Sequence, residues 1–256
     1  MSLSLPLQRP VARQATPLDM TGELFSALDV YHDRTSRSAP MNMAVDEALL
    51  EMAKAVSIRF YRWHSPAISF GYFGKFANVT DYSSERDLVR RWTGGGIVFH
   101  GDDLTYSIVI PASDPAFGES SPLIYEKIHR VLSETLLTLG QYAVLAATGH
   151  RGGARAAMET GVSHPGYTGH CFANPVRADV MIDGRKIAGA AQRRTRGGLL
   201  HQGSIQHVDL GNGLAERFAS KLSERCGEKF LSKSILERAS EIVEKKYGTL
   251  LWLQRR

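Results

Sequence analysis

Three stretches of the chain combine residue types that could carry chemistry. The first is a glycine-rich segment, Arg90-Arg91-Trp92-Thr93-Gly94-Gly95-Gly96, which leads through an apolar run to His100. Consecutive glycines let the backbone adopt positive φ and let a ligand approach without interference from Cβ atoms. The exposed amide groups of such a turn suit an anion or a polarised carbonyl. We therefore expect a substrate-binding loop in this segment.

The second stretch is Gly184-Arg185-Lys186-Ile187-Ala188-Gly189, in which a tight turn precedes a strand of small residues. Small residues weaken a strand unless a ligand or another backbone approaches closely, as we expect at Gly189. Nothing bulky would then shield the Lys186 ammonium from a bound substrate. A solvated lysine in a hairpin is the simpler interpretation, but it leaves the run of small residues unexplained.

The third stretch is Gly169-His170-Cys171-Phe172-Ala173-Asn174-Pro175. A cysteine on a polar, glycine-rich loop, beside a histidine and in reach of a lysine, is a candidate nucleophile. The alternative is a half-buried thiol without a role, because free cysteines mostly behave as small hydrophobic residues. Cys226, which we predict to lie in a helix, fits that alternative better.

Histidines give weaker signals. His100 and His201 each end an apolar strand, where a neutral, hydrogen-bonded structural histidine is more common than a catalytic base. The nine histidines show no H-E-x-x-H or comparable spacing, so we expect no metal site.

Length and composition restrict the class of protein. The 256 residues, 43% of them hydrophobic, can form a full core, and we expect one α/β domain over residues 23–256 after a flexible arm, residues 1–22. No apolar run is long enough for a membrane span, and the N-terminus lacks the apolar core of a secretory signal. With just two cysteines, the chain is expected in the cytoplasm.

The charge balance is mildly basic, with 31 Lys and Arg against 26 Asp and Glu. These basic residues are dispersed rather than concentrated, which argues against a nucleic-acid partner. A basic face that receives an acidic protein explains the composition equally well.

The hydrophobic pattern predicts the elements that must position these residues. A strand is expected at Leu28–His32, and a helix over residues 42–53 with Asn42 as N-cap. Residues 58–63 and 67–72 read as a β-hairpin, and residues 88–92 and 97–100 as strands on either side of the glycine loop. The later elements are a strand at 104–110, a helix at 121–139 closed by Gly140, a meander at 178–182, 185–194 and 199–208, and helices at 214–226 and 234–246.

Four stretches in this order resemble the biotin/lipoate protein ligase family, which includes lipoate-protein ligases and octanoyltransferases. With Gly203-Ser204, the resemblance covers roughly residues 28 to 210. The stretches are Asn42–Leu49, Ile58–Trp63 through Ser69–Tyr72, Arg90–His100 with Leu104–Ser107, and Asp183–Arg194.

The resemblance implies an α/β (α+β) fold: a mixed β-sheet flanked by helices, like the catalytic domain of biotin protein ligases and related to class II aminoacyl-tRNA synthetases. It also implies that the arginine-rich glycine loop binds the carboxyl end of the acyl group or the acyl-adenylate, and that the lysine points at the same centre. These roles would fall on Arg90, Arg91, Gly94, Gly95, Gly96, His100 and Lys186.

Within the family, the segment Cys171–Pro175 looks like that of octanoyltransferases whose nucleophile precedes this lysine. We also expect the chain to lack the extra C-terminal domain of common ATP-dependent ligases. The transferase hypothesis needs no cofactor: Cys171 takes an octanoyl or lipoyl group from acyl carrier protein, and Lys186 orients the carbonyl. A lysine of a lipoyl-domain protein, such as the glycine cleavage H protein or a 2-oxoacid dehydrogenase E2, then accepts it.

Two alternatives remain open at this stage. The triple glycine looks more like that of the ligases, which would use ATP and Mg²⁺ to adenylate lipoate and leave Cys171 incidental. A third reading is a carrier-protein or nucleic-acid binding module that kept the fold and lost the chemistry.

Overall fold

A mixed eight-stranded sheet forms the centre of the fold in the computed structural model, which describes residues 23–147, 175–211 and 213–255. The predicted N-terminal arm, residues 1–22, lies outside these ranges, and so does the segment that carries Cys171. The proposed domain division therefore stays a prediction.

The strands are β1 (Leu28–His32), β2 (Ser57–Tyr61), β3 (Ala67–Phe70), β4 (Asp87–Arg90), β5 (Ile97–His100), β6 (Leu104–Pro111), β7 (Val144–Leu145), β8 (Val180–Ile182), β9 (Arg185–Arg194), β10 (Gly198–Ile205) and β11 (Cys226–Lys229). The α-helices are α1 (Ala39–Met52), α2 (Ser121–Thr138), α3 (Leu214–Leu222), α4 (Lys233–Ile242) and α5 (Leu250–Leu253), with a π-helical turn at Val243–Tyr247. Short 3₁₀ helices occur at Phe76–Asn78, Thr80–Tyr82 and Pro115–Gly118. Within the described ranges, none of the helices has the length and apolar character needed to cross a bilayer.

The main sheet has the strand order β11-β1-β2-β6-β10-β9-β8-β7, and a small second sheet has the order β4-β3-β5. β1 runs parallel to β2 and β11, and the other pairs of the main sheet are antiparallel. The meander predicted over residues 178–208 is confirmed as β8, β9 and β10.

Helices cover both faces of the main sheet. Ile58 and Phe60 of β2 pack in the cluster that contains the apolar residues of α2 and α3, whereas Tyr61 packs with α1 and α4. Successive side chains of a strand point to opposite faces, so this alternation places β2 in the middle layer. The mixed sheet flanked by helices, expected from the resemblance, is confirmed.

The first helix begins earlier than predicted. Its N-cap is Ser38, followed by a proline in the first turn, where the fixed φ of proline suits a helix start. Asn42 is therefore not the cap but a buried residue inside α1, where its Oδ1 accepts a 2.7 Å hydrogen bond from Arg59.

The predicted hairpin of residues 58–63 and 67–72 is wrong. β2 pairs with β1 and β6 in the main sheet, whereas β3 pairs with β4 and β5 in the small sheet. The short segment between β2 and β3 thus carries the chain from one sheet to the other. The strand pattern was correct, but periodicity does not tell which strands are partners.

The C-terminal part also differs from the prediction. α3 ends at Leu222, and Cys226 begins the edge strand β11 instead of lying in a helix. Near the C-terminus, the chain forms the short helix α5.

A buried guanidinium ties α1 to the sheet. The Arg59 side chain is fully buried and pairs with Asp33 at 2.7 Å and with Asp46 at 2.8 Å. Asp46 also accepts hydrogen bonds from Tyr61 and Ser107, on β2 and β6. The carboxylates raise the pKa of Arg59 against the opposing effect of burial.

We expect Arg59→Ala to lower the free energy of unfolding by about 3–5 kcal/mol, because the buried Asp46 loses its ion pair and Asp33 keeps its pairing with Arg37 but loses that with Arg59. Urea denaturation at neutral pH measures this change. Arg238→Ala is the matched control, since its ion pairs with Glu51 and Glu241 lie at the surface and should contribute much less. Equal losses in the two variants would contradict this account of the network.

Candidate functional site

The glycine loop connects the two outer strands of the small sheet. β4 pairs with one side of β3 and β5 with the other, so residues 91–96 cross the end of β3. Gly95 adopts φ of +83°, which favours glycine. At Gly71 a Cβ atom would lie 2.1 Å from the Gly95 carbonyl oxygen, so the loop closes against a second glycine.

Arg91 holds this loop from the inside. Its buried guanidinium donates to the carbonyl oxygens of Gly94 and Gly96 at 2.9 and 2.8 Å, and to Ser69 Oγ at 2.7 Å. On the other side of the loop, Thr93 donates to Gln202 of β10 at 2.8 Å. The loop is thus fixed to both sheets before any ligand binds.

Arg90 points elsewhere, because neighbouring residues of a strand face opposite sides. Its guanidinium donates to the backbone carbonyls of Tyr72 and Gly74, and to those of Trp252, Leu253 and Arg255. Arg90 therefore anchors the C-terminal segment. The substrate contact predicted for Arg90 would need one of these bonds to break, and it stays a prediction.

His100 lies in a hydrogen-bonded row. Its Nδ1 is 2.8 Å from Asp103 Oδ2 and its Nε2 is 2.7 Å from Ser69 Oγ. The ring stacks on Trp63 with centroids 4.0 Å apart. The neighbouring His100, together with hydrogen bonds from Ser204 and Thr105, lowers the pKa of Asp103 to about 2 despite burial.

Lys186 is buried rather than solvated. Its Nζ lies 2.7 Å from Asp179 Oδ2, and both side chains are almost fully enclosed. Asp179 also accepts a hydrogen bond from Tyr125. Burial, together with the negative charge of Asp179, raises the pKa of Tyr125 well above its ordinary value. At Gly189 a Cβ atom would lie 2.4 Å from Lys186 Cε and 2.5 Å from Nζ. Gly189 therefore leaves the space that the lysine occupies.

A pocket opens between the glycine loop and the strands β9 and β10. It brings together the predicted residues Arg91, His100 and Gly189, and Lys186 adjoins it through Gly189. Cys171 lies outside the described residues, so its position relative to the pocket stays a prediction. The lining residues are Met43, Tyr61, Trp63, Ser69, Arg91, Val98, His100, Thr105, Gly189, Ala190, Ala191, Gln202, Gly203 and Ser204.

Sequence reasoning missed the polar partners of these residues. Ser69 lies within an apolar strand, and Asp179 precedes a strand without any motif. Asp103 follows His100 at a spacing of three residues, which was a usable signal. Among the described residues, no group of three or more His, Cys, Asp or Glu side chains could hold a metal ion.

Two further buried histidines, His129 and His201, lie against the Tyr125 ring. His129 Nδ1 is 2.7 Å from the Ala178 carbonyl oxygen, and His201 Nδ1 is 3.0 Å from Gln192. Burial lowers the pKa of His129 to about 4 and lowers that of His201 well below its ordinary value. Both are therefore neutral at pH 7, in line with the structural role considered for His201 from its sequence.

The chain is similar to known proteins over most of its length. A family model for the lipoyl protein ligase A/B catalytic domain matches residues 38–230. The octanoyltransferase LipM of Staphylococcus epidermidis is 33% identical over 212 residues, which are 78% of this chain and 74% of that protein.

Solved structures show the same fold. Lipoate-protein ligase A bound with ATP superposes with a TM-score of 0.64 at 21% identity, covering 90% of this chain and 98% of the other. A bipartite lipoate protein ligase of Thermoplasma acidophilum, studied with its E2 lipoyl domain, gives 0.58 at 21% identity, covering 90% and 96%. At this identity the likeness concerns the fold.

We expect the buried His129 to make the protein less stable as the pH falls from about 6.5 to about 4. In this window the unfolded chain binds a proton that the folded chain excludes, so stability falls with decreasing pH. A shift from 6.5 to about 4 corresponds to about 3 kcal/mol.

Urea denaturation of wild type and His129→Gln at pH 7 and pH 4 measures this contribution. The variant should lose less unfolding free energy over this range, by about 3 kcal/mol. His64→Gln, at an exposed position, is the control and should follow the wild type. An equal pH dependence in all three proteins would show that His129 does not exclude its proton in the folded state.

Proposed function

Because the chain belongs to the lipoyl protein ligase A/B catalytic domain family, we propose that it transfers an octanoyl group to a lysine of a lipoyl-domain protein, through an acyl-enzyme on Cys171. The observation that carries the proposal is the 33% identity to an octanoyltransferase LipM over 78% of the chain. The enzyme acts in protein lipoylation.

In the first step, the Cys171 thiolate attacks the carbonyl carbon of a thioester donor, and the donor sulfur leaves as a thiolate. Exchange between two thioesters is nearly balanced in energy and keeps the acyl group reactive. In the second step, the amine of the acceptor lysine attacks the acyl-enzyme, and the cysteine thiol leaves as an amide forms. This scheme uses no cofactor.

Lys186 supplies a fixed positive charge beside the pocket. Its pairing with Asp179 at 2.7 Å and the space left by Gly189 hold the ammonium in one place. We propose that Lys186 orients the carbonyl of the acyl group. A donor placed where negative charge develops stabilises the transition state by roughly 3 kcal/mol.

Arg91, which holds the glycine loop, lines the pocket together with His100. We assign Arg91, His100, Gly94, Gly95 and Gly96 to substrate binding, because Arg91 and His100 line the pocket and Arg91 fixes the loop through the carbonyl oxygens of Gly94 and Gly96. An acyl carrier protein is the proposed donor. Carrier and lipoyl domains are commonly acidic, and the excess of basic residues on this chain, 31 against 26, suits both.

ATP-dependent ligation is the second candidate, favoured by the likeness in fold to a lipoate-protein ligase bound with ATP. Lys186 would then neutralise the phosphate of an acyl-adenylate, ATP and Mg²⁺ would be needed, and Cys171 would have no part. Release of pyrophosphate that depends on lipoate distinguishes this reaction from transfer.

We expect the wild-type protein to carry one octanoyl group after it is mixed with octanoyl carrier protein in the absence of ATP. Neutral hydroxylamine should remove this group, because it cleaves thioesters. Intact-protein mass spectrometry detects the adduct. Cys226→Ala should behave like wild type, whereas Cys171→Ala should show no such adduct. If the wild-type protein forms no adduct but releases pyrophosphate in a lipoate-dependent reaction, the proposed activity is that of the ligase and not of the transferase.

Gly189→Ala should lower octanoyl transfer by roughly 10²-fold, because the added methyl group displaces the Lys186 ammonium. The rate of acceptor octanoylation measures the effect. Gly197→Ala is the matched control, since its added Cβ would meet just Thr195 Oγ1, at 3.8 Å. The thermal unfolding midpoint of each variant separates lost positioning from lost folding. A folded Gly189→Ala protein with full activity would remove Lys186 from the mechanism.

A further inference from the structure

Ser69, His100 and Asp103 form a continuous hydrogen-bonded row at the wall of the pocket. Ser69 Oγ is 2.7 Å from His100 Nε2, and His100 Nδ1 is 2.8 Å from Asp103 Oδ2. All three are buried, and Ser69 and His100 line the pocket. The order of hydroxyl, imidazole and carboxylate is that of a nucleophile, its general base and the group that orients the base.

The surrounding bonds fix the direction of each proton. Asp103 Oδ2 accepts hydrogen bonds from Thr105 and Ser204 at 2.8 and 2.7 Å, and Oδ1 accepts from the Gly101 amide. An ionised carboxylate has no proton to donate, so the imidazole must donate from Nδ1. A neutral imidazole then has Nε2 free to accept the hydroxyl proton of Ser69.

Neighbouring side chains hold this arrangement in place. Trp63 stacks on the His100 ring and donates from its indole to Thr105, which in turn donates to Asp103. Arg91 Nη1 donates to Ser69 Oγ at 2.7 Å. A guanidinium at this distance stabilises negative charge that develops on the serine oxygen as its proton leaves.

The wall of the pocket beside Ser69 is largely apolar. Met43, Val98, Ala190 and Ala191 contribute apolar surface to the wall that the serine hydroxyl shares. A hydroxyl nucleophile at an apolar wall is an arrangement suited to the acyl end of a medium-chain ester or thioester.

We propose that Ser69, His100 and Asp103 are a catalytic triad through which the protein accepts a medium-chain acyl group on Ser69, as a second acyl site independent of Cys171. Ser69 Oγ attacks the acyl carbonyl carbon, and its proton passes to His100 Nε2. The bond to the leaving alcohol or thiol breaks, and that group takes the proton from His100. Water then attacks the serine ester and gives a proton to His100 Nε2; the bond from the acyl carbon to Ser69 Oγ breaks, Oγ takes that proton, and the free acid is released.

The test uses the full chain carrying Cys171→Ala, so that failure of the cysteine mechanism does not affect the result. This protein is incubated with 4-nitrophenyl octanoate, and release of 4-nitrophenolate is followed by absorbance. Peptide mapping by mass spectrometry then locates the octanoyl group. We expect an ester on Ser69 that resists neutral hydroxylamine, and steady hydrolysis after a first burst.

Further substitutions on the same background separate catalysis from simple reactivity. Ser69→Ala should lose the burst, and Asp103→Asn should slow it at least about tenfold, since the wrong imidazole tautomer faces the serine. Ser84→Ala, at an exposed serine before β4, is the matched control and should react like its parent. Unfolding midpoints identify any variant that fails to fold.

The parent protein decides the question even if a variant unfolds. No octanoyl group on Ser69 in the folded Cys171→Ala protein would overturn the proposal and leave the row a structural network. An adduct on Ser69 that forms as fast in a folded Asp103→Asn protein would overturn it too, because the carboxylate would then have no part in the reaction.

Discussion

A buried guanidinium sets the geometry of the pocket. A charge removed from water is stable in a protein when hydrogen bonds or an opposite charge replace its solvation. Arg91 meets this requirement with carbonyl oxygens of the glycine loop itself and with Ser69 Oγ. The loop backbone must therefore surround the guanidinium. Ser69 and His100, on the neighbouring strands, line the same pocket as Arg91.

Glycines allow the layers to approach closely enough for this arrangement. Gly71 admits the carbonyl oxygen of Gly95, and Gly189 admits the end of the Lys186 side chain. At Gly203 a Cβ atom would lie 2.3 Å from the Tyr106 ring, which crosses the strand there. The run of small residues after Lys186 thus has a packing cause that is visible in the structure. The sequence indicated a close approach near Gly189, but not that the lysine's own side chain fills the space.

Local patterns were sufficient for many elements and for the loop. The strand Leu28–His32 and the amphipathic helix α2, closed by Gly140 with φ of +79°, follow from periodicity and turn chemistry. The partner of a strand depends on contacts between distant segments, so the supposed hairpin of β2 and β3 was wrong. Arg90 and Arg91 looked equivalent as neighbours in sequence, yet strand alternation directs one to the C-terminal segment and the other into the pocket.

The buried carboxylates are a part of the site that sequence reasoning missed, because an isolated Asp resembles any surface acid. Each of them nevertheless lies close in sequence to the group it holds: Asp103 follows His100 by three residues, and Asp179 precedes Lys186 across the hairpin of β8 and β9. Each pair is thus formed within one short segment. Ser204 connects the His100–Asp103 pair with the strand that carries Lys186. Its backbone pairs with Gly189 of β9, and its hydroxyl donates to Asp103 at 2.7 Å. The register of β10 against β9 therefore determines how far the histidine row lies from the lysine, and a slip of one residue would turn Ser204 to the other face of the sheet.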